Sequence, residues 1–411
     1  MILRRIAILF ALLLMLCAKV AAQNDSILVT GKDTVAYRYT PINTADKNKK
    51  NRGKGRVLRY FAENNIDRSF ERKVDMAFVP ALYYAPSTSA GLAVMATGLY
   101  RLDKKNRNIP ASNFSVYATA SLTGFYRVGV SGCNIFRNDR QRIVYNAEFY
   151  SQPTSFWGVG YDTAMTNSAI NYLASRCIIE GKFLQKITKG LYAGVGADYN
   201  YHFGKFGGKY ASKEALVSRL DGEGVVYNAT GISLFVEYDT RNSISAPQQG
   251  VYIAVQGKVR PKGMNSVGQT LWMGRLSANY YQRLWRGAVL AFDLRGEVNS
   301  EGTPWVYNAT LASSMRGYYA GRFNDLCAVT LQAELRQRIY RGFGVVAWGG
   351  AGNVFSTFGS FDWNKTLPTY GVGLRYEVKR GLNIRFDYGF GSRDHQGKLI
   401  HGAVFSFNEA F

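Results

Sequence analysis

The sequence predicts an all-β protein, a transmembrane barrel built from a 16-stranded antiparallel sheet. From residue 74 onward, successive segments of about ten to fourteen residues alternate apolar and polar side chains, the two-residue period of a strand with unlike faces. The composition agrees, because 43 Gly, 28 Tyr and 24 Phe against nine Pro in 411 residues suit strands joined by tight turns. The connections between the predicted strands, moreover, alternate between short and long.

The N-terminus has the pattern of a secretory signal peptide over residues 1–22. Arg4 and Arg5 precede an apolar run over residues 6–16, and small side chains follow up to Ala22 at the spacing of a cleavage site. The apolar run is shorter than the roughly 20 residues that a membrane-spanning helix needs. Removal of this segment takes away Arg4, Arg5 and Lys19, so the formal charge falls from +23 to 23 − 3 = +20.

Residues 23–73 form a basic segment that we predict to be a solvated leader. Lys, Arg, Asn and Gly crowd together there, and hydrophobic periodicity begins only at Val57. One short amphipathic helix is predicted after that point, packed against the main domain or lying on a membrane surface. The basic run itself is either a solvated tail or a segment attracted to anionic lipid phosphates.

Three cysteines remain after the signal peptide, at Cys133, Cys177 and Cys327. An odd, widely spaced set is not the framework of a disulfide-stapled secreted domain. We predict that they are packing residues, and the sequence leaves one disulfide among them open.

The alternation divides each predicted strand into an apolar and a charged face. In residues 371–379, Val372 and Leu374 share one face while Arg375 and Glu377 share the other. The same division recurs around residues 276, 290 and 331. One face therefore suits hydrocarbon and the other suits water, as in a barrel that crosses a lipid bilayer.

Sixteen strands are predicted, an even number. Their starts lie near residues 74, 90, 112, 125, 141, 174, 190, 227, 250, 271, 287, 327, 343, 368, 382 and 399. The long connections, residues 151–173, 203–226, 300–326 and 354–367, all follow odd-numbered strands, whereas tight turns such as Lys189-Gly190 follow even-numbered ones. Short periplasmic turns and long outer loops are the organisation of a bacterial outer-membrane barrel, in which closure leaves no backbone group unpaired in lipid. Residues 74–411 are predicted to form it.

One predicted periplasmic turn carries a motif. It contains Asp239, Thr240, Arg241, Pro247 and Gly250, and it resembles the D-T-R-[DN]-x4-P-x2-G turn of BamA/TamA family barrels, the bacterial surface antigen group. The long connection before the twelfth strand carries a second motif.

That second motif is Arg316-Gly317-Tyr318, which is similar to the [VI]-R-G-[FY] motif in the sixth outer loop of the same family. In the family this loop folds back into the barrel lumen, so the resemblance implies that Arg316 contacts an acidic group on the inner wall.

The family usually has Asp where Gly350 stands in this sequence. Asp387 and Glu334 are both lumenal by alternation, and we expect either one to be the partner of Arg316 instead. A buried, unpaired Arg would be costly, which makes a charge-assisted contact necessary if the loop enters the lumen.

The last residues, with Phe405, Phe407 and Phe411, are similar to the C-terminal signal by which outer-membrane barrels are recognised for assembly. These aromatic residues are also expected in the lipid-facing stripe.

The resemblance covers residues 74–411. Because residues 23–73 lack the pattern of the family's periplasmic POTRA modules, which have about 75 residues each, a barrel-only member is expected.

No motif predicts catalysis, a cofactor or a metal site. The chain has three His and lacks the zinc-protease, nucleophile-elbow and phosphate-loop patterns. We therefore predict that it is not an enzyme, although a lumenal hydrolase that uses His202 remains an alternative. Basic lumenal side chains outnumber acidic ones, so an open pore would favour anions.

Two main functions remain open from the sequence. The resemblance implies a factor for outer-membrane protein assembly or translocation, in which a seam between the first and last strands receives a client strand. The alternative is a passive anion-preferring pore or a structural membrane protein. The expected partners are outer-membrane lipid, lipopolysaccharide phosphates and periplasmic or outer-membrane proteins, not nucleic acid, and a homo-oligomer is left open.

Overall fold

The computed structural model describes residues 69–85, 89–104, 109–206, 225–244, 246–319, 321–340, 342–379, 382–394, 396–407 and 411. The predicted signal peptide and the predicted leader helix lie outside the described residues.

Sixteen strands form one antiparallel sheet in which strands that follow each other in the barrel order are hydrogen-bonded, as the sequence predicts. They are β1 (Asp75–Ala85), β2 (Ser89–Tyr100), β3 (Ser112–Ser121), β4 (Tyr126–Ile135), β5 (Gln141–Phe156), β6 (Ile170–Thr188), β7 (Leu191–Lys205), β8 (Val225–Asp239), β9 (Gly250–Arg260), β10 (Leu271–Arg283), β11 (Ala288–Asn299), β12 (Cys327–Tyr340), β13 (Phe343–Phe355), β14 (Leu367–Lys379), β15 (Leu382–Arg393) and β16 (Leu399–Phe407). The largest difference from the predicted starts is at β6, which begins at Ile170 rather than at residue 174.

The two faces of the strands have the predicted character. On β14, Val372 and Leu374 are 62% and 60% exposed, whereas Thr369 and Arg375 on the other face are 1% and 5% exposed. Apolar side chains therefore point outward, and polar side chains point into the lumen, which reverses the arrangement of a soluble protein.

The ends of the sheet come together. Met95 on β2 is buried and packs against Tyr376 on β14 and Ile384 on β15. Strands near the beginning and the end of the sheet order are thus in contact, so the sheet curls into a barrel around a lumen.

One predicted loop is partly strand. Residues 151–173 were expected to form an outer connection, but β5 and β6 stay paired from Ser151 and Ser175 as far as Phe156 and Ile170. Pro153 and the polar residues around it hide the alternation in the sequence, although the ladder continues through them. The connection is therefore residues 157–169, and it contains the short helix α1 (Tyr161–Thr166).

The two ends of the barrel differ. We call the end with the connections 157–169, 300–326 and 356–366 the loop end, and the opposite end the turn end. Within connection 300–326, called the lumenal loop below, the short strands Ala309–Thr310 and Asn324–Asp325 pair with each other. Among the described residues, no helix is long and apolar enough to cross a membrane.

Candidate functional site

The lumenal loop places Arg316 deep inside the barrel. Its side chain is 5% exposed, and Nη1 donates hydrogen bonds to Glu334 Oε2 at 2.5 Å and to Asp387 Oδ2 at 3.1 Å. Both carboxylates are completely buried. The guanidinium also lies 3.7 Å from the ring centroid of Trp348, a cation–π contact that covers its flat face. The structure thus brings Arg316 to both acidic residues that the sequence offered as alternatives.

Two glycines let the loop touch the barrel wall. Gly317 has φ +96°, and a Cβ there would lie 2.9 Å from backbone atoms of Gly389 and Phe390 on β15. A Cβ on Gly389 would in turn lie 2.7 Å from the Gly317 nitrogen. The hydroxyl of Thr369 donates to the Arg316 carbonyl at 2.5 Å. The loop backbone is therefore fixed against the wall, which sets the position of the Arg316 side chain.

Tyr318 forms the second fixed point of the motif. Its hydroxyl donates to the Pro368 carbonyl and accepts the backbone N–H of Ser392 at 3.0 Å. Burial raises the pKa of Tyr318 to about 12, so the hydroxyl stays protonated near neutral pH and remains a donor. Arg316, Gly317 and Tyr318 thus each make a separate contact with the inner wall.

Gly350 stands where the family usually has Asp, and its surroundings leave no room for a side chain. A Cβ at this position would lie 2.4 Å from the Leu331 carbonyl oxygen and 2.6 Å from Gln332 Cγ. The carboxylates come instead from Glu334 on β12 and Asp387 on β15.

Three more arginines share the two carboxylates. Arg336 Nε donates to Glu334 Oε1 at 2.6 Å, Arg375 Nη1 donates to Asp387 Oδ1, and Arg385 Nη1 donates to Asp387 Oδ2 at 3.4 Å. Alternation along the strands identifies these side chains as lumenal but gives no information about which acid each one meets.

The lumen is filled at the loop end by an apolar cluster that the sequence analysis did not find. Its buried members come from connection 157–169, the lumenal loop and the adjacent strands: Trp157, Ala164, Ala309, Leu311, Met315, Tyr318, Phe323, Ala328, Val354, Leu367 and Ile400. Arg322 Nε donates to the Ala164 carbonyl at 3.3 Å, and Asn324 Nδ2 donates to the Gly158 carbonyl at 3.0 Å. We call this assembly of the two loops the cap.

The N-terminal half of the lumenal loop is attached to the other side of the barrel. The Trp305 ring lies 4.2 Å from that of Phe156, 5.6 Å from that of Tyr172 and 6.0 Å from that of His202, measured between centroids. Tyr307 Oη donates to a backbone carbonyl of β7 at 3.3 Å. The lumenal loop therefore crosses the lumen from β5–β7 to β12–β15. The sequence does not predict this path, because the residues of the loop have no periodic pattern.

A polar cavity of about 330 Å³ remains beside the lumenal loop, within the barrel. Arg275, Arg295, Glu297 and Ser313 are among the residues that line it. The described residues contain no group of three or more His, Cys, Asp or Glu side chains placed to hold a metal ion.

The turn motif lies at the turn end, between β8 and β9. Asp239 Oδ1 accepts Arg241 Nε at 2.9 Å, and Asp239 Oδ2 accepts Arg142 Nη1 at 2.9 Å. Thr240 Oγ1 donates to the Val251 carbonyl at 3.2 Å and accepts the Val251 N–H at 2.9 Å. Charge and hydroxyl groups of the motif thus hold the base of the turn.

Pro247 and Gly250 complete the motif. Pro247 is buried, and its carbonyl accepts Arg336 Nη1 at 3.3 Å. Gly250 has φ +112°, and a Cβ there would lie 2.5 Å from the Thr240 carbonyl oxygen, so only glycine fits without strain.

The last residue occupies a different place from the one expected. Phe411 was predicted in the outward stripe, but its backbone oxygen accepts the lumenal Arg336 Nη2 at 2.8 Å, and its ring centroid lies 5.5 Å from that guanidinium. The lumenal guanidinium of Arg336 binds both the carbonyl oxygen and the ring of Phe411, which holds this residue on the inner side of the wall. The side chains of Phe405 and Phe407 lie outside the described part of the chain.

Comparisons with known proteins add evidence on the fold. No protein-family model matches the sequence, and no curated protein matches it. The crystal structure of BamA from Haemophilus ducreyi lacking POTRA domains 1–3 matches with a TM-score of 0.51 and 13% identity over 81% of this chain and 70% of that chain. CdiB from Acinetobacter baumannii matches with a TM-score of 0.49 and 11% identity over 82% and 60%. The siderophore receptor PirA from Acinetobacter baumannii matches with a TM-score of 0.32 and 7% identity over 81% and 57%. The chain therefore has the fold of the BamA outer-membrane β-barrel, as the resemblance to the BamA/TamA family predicted.

Proposed function

We propose that the protein resides in the bacterial outer membrane, with its turn end in the periplasm, and assists the assembly or translocation of outer-membrane proteins. The outward apolar face and the inward charged face suit a barrel surrounded by lipid. The loop end then faces the outside of the cell, where lipopolysaccharide phosphates would contact the basic chain.

The observation that carries the proposal is the anchored lumenal loop. Arg316 is held by two completely buried carboxylates, and Tyr318 is bonded to β14 and β15. This arrangement fixes the wall formed by β12 to β15, which lies next to β16, one end of the sheet order. A rigid wall beside β16 supports a site where a client strand adds to the edge of this last strand by backbone hydrogen bonding.

The cap argues against the passive-pore alternative. An apolar cluster of loop and strand residues lies inside the lumen at the loop end, whereas an open pore keeps a continuous polar path. We expect the purified protein in planar bilayers to conduct far less than an open 16-stranded porin. A steady porin-like conductance would favour the pore.

A catalytic role is not proposed. His202 is 3% exposed and lies among aromatic rings, with centroids 6.1 Å from Tyr172 and 6.0 Å from Trp305. A substrate has no access to the imidazole in this arrangement. A His202→Ala strain should therefore keep an unchanged membrane lipid profile.

The direct test is a client insertion assay. Liposomes that contain the folded protein should accelerate the insertion of a small unfolded barrel protein relative to liposomes that contain an unrelated barrel. Arg316→Ala should reduce this acceleration, whereas Arg275→Ala, at a half-exposed lumenal pair, should not. If the folded protein gives no acceleration, alone or with periplasmic extract, the assembly role is wrong.

A further inference from the structure

The connection between β8 and β9 is a preformed hairpin that extends beyond the barrel wall. Backbone bonds run from Thr240 N to Val251 O at 2.9 Å and from Asn242 N to Gln249 O at 3.2 Å. Asn242 Oδ1 also accepts the N–H of Gln248 at 2.9 Å and that of Gln249 at 3.3 Å. These bonds fix the direction of the tip, of which the structure describes residues 243, 244 and 246–248.

One side of the tip packs on the wall near β4. Ile244 contacts a buried apolar cluster made of Ile109, from the connection between β2 and β3, and of Cys133 and Ile135 on β4. Cys133 and Ile135 are 7% and 2% exposed. The tip thus covers the inner wall at this point.

The other side of the tip is bonded to β12 and β10. The Pro247 carbonyl accepts Arg336 Nη1 at 3.3 Å, and Gln248 Oε1 accepts Arg283 Nη2. Arg336 is 8% exposed and projects into the lumen from β12.

These two walls are opposite each other. β4 and β12 are eight strands apart in the order of the sixteen-stranded sheet, so the curvature of the sheet brings them to face each other across the lumen. Ile244 and Pro247 are three residues apart and separated by at most about 10 Å, and the long side chain of Arg336 reaches from β12 to the Pro247 carbonyl. A segment that contacts both walls over so short a length lies across the lumen.

We propose that the described residues of this tip, 243, 244 and 246–248, form a plug across the turn end of the lumen, held by Ile244 on one wall and by Arg336 on the opposite wall. The conformation of the plug follows from the D-T-R motif, because Asp239, Thr240 and Gly250 fix its base.

The plug is connected to the lumenal loop through one carboxylate. Glu334 accepts Arg316 with one oxygen and Arg336 with the other. Movement of the plug away from the lumen breaks the Arg336 contact with Pro247, while the contact between Arg336 and Glu334 remains. The inference does not depend on the assembly role proposed above.

The contact with β4 can be tested by cross-linking to a native thiol. In a protein with Cys177→Ala and Cys327→Ala, the substitution Ile244→Cys should form a disulfide with Cys133 under mild oxidation of the folded barrel. Arg286→Cys, in the neighbouring turn between β10 and β11, is the matched control and should not cross-link. Failure of Ile244→Cys to cross-link in protein that keeps its heat-modifiable folded form would overturn the proposal.

The contact with the opposite wall has a separate readout, the rate at which a small maleimide alkylates Cys133 in the same background. Arg336→Ala should increase this rate, because the tip loses its hold on β12 and uncovers β4. Arg338→Ala, two residues along the same strand and half-exposed beside Glu377, is the control and should leave the rate unchanged. If Arg336→Ala leaves Cys133 as slow to react as in the control, the turn rests on one wall only and is not a plug.

Discussion

Glu334 is expected to be the residue on which the stability of the lumenal loop depends most. It is completely buried, and it accepts Arg316 at 2.5 Å and Arg336 at 2.6 Å, with Arg375 at 3.6 Å. Glu334→Gln keeps the shape of the side chain but removes its charge, and it turns one acceptor oxygen into a donor that faces another donor. Removal of one partner from a buried ion pair costs about 3–5 kcal/mol, and here three buried arginines lose a shared carboxylate, although Asp387 still accepts Arg316 and Arg375. We therefore expect Glu334→Gln to lower the free energy of unfolding by about 3–5 kcal/mol.

Glu297→Gln is the matched control. Glu297 is also lumenal, but its partner Arg275 is 47% exposed at 2.8 Å, and such solvent-exposed pairs contribute about 0–1 kcal/mol. Both variants would be unfolded with urea in detergent or in liposomes, with the heat-modifiable shift in gel mobility as the measure of the folded fraction. If Glu334→Gln and Glu297→Gln lower the free energy of unfolding by amounts that differ by less than about 1 kcal/mol, the buried shared carboxylate does not hold the loop. The double variant Glu334→Gln/Arg316→Ala should be less destabilised than the sum of the single variants, because both remove the same contact.

The remaining predictions concern the turn and the cap. Gly250→Ala should destabilise the barrel by about 1–3 kcal/mol in the same urea assay, because the new Cβ meets a backbone carbonyl at positive φ, whereas Gly257→Ala, with open space around it, should have little effect. Trp305→Ala should accelerate proteolysis of the lumenal loop from the loop end, since the aromatic packing on β5–β7 is lost, and an unchanged cleavage rate would contradict the proposed attachment. Arg142→Lys should lower the free energy of unfolding by about 1–3 kcal/mol, because a lysine cannot bond to the carboxylates of Asp139 and Asp239 at the same time as the guanidinium does. Equal urea midpoints for this variant and the unchanged protein would contradict this prediction.

The strands and the orientation of their side chains can be predicted from the sequence, because both depend on local periodicity. Val372 and Arg375 are assigned to opposite faces from the sequence alone, because side chains alternate along any strand and only one face can meet lipid. The starts of the sixteen strands follow for the same reason, and the alternation fails only where Pro153 and polar neighbours interrupt the pattern in β5. The motif around Arg316 was also visible, because it is a short contiguous stretch.

The partners of these residues were decided by the tertiary structure. Arg316 meets Glu334 and Asp387, which are 18 and 71 residues away along the chain, and the sequence could offer them only as alternatives. The crossing of the lumen by the loop through Trp305 depends on the curvature of the whole sheet, since this curvature brings strands from distant parts of the chain to face each other. Periodicity fixes the side on which a residue lies, but the curvature and closure of the sheet determine what lies opposite it.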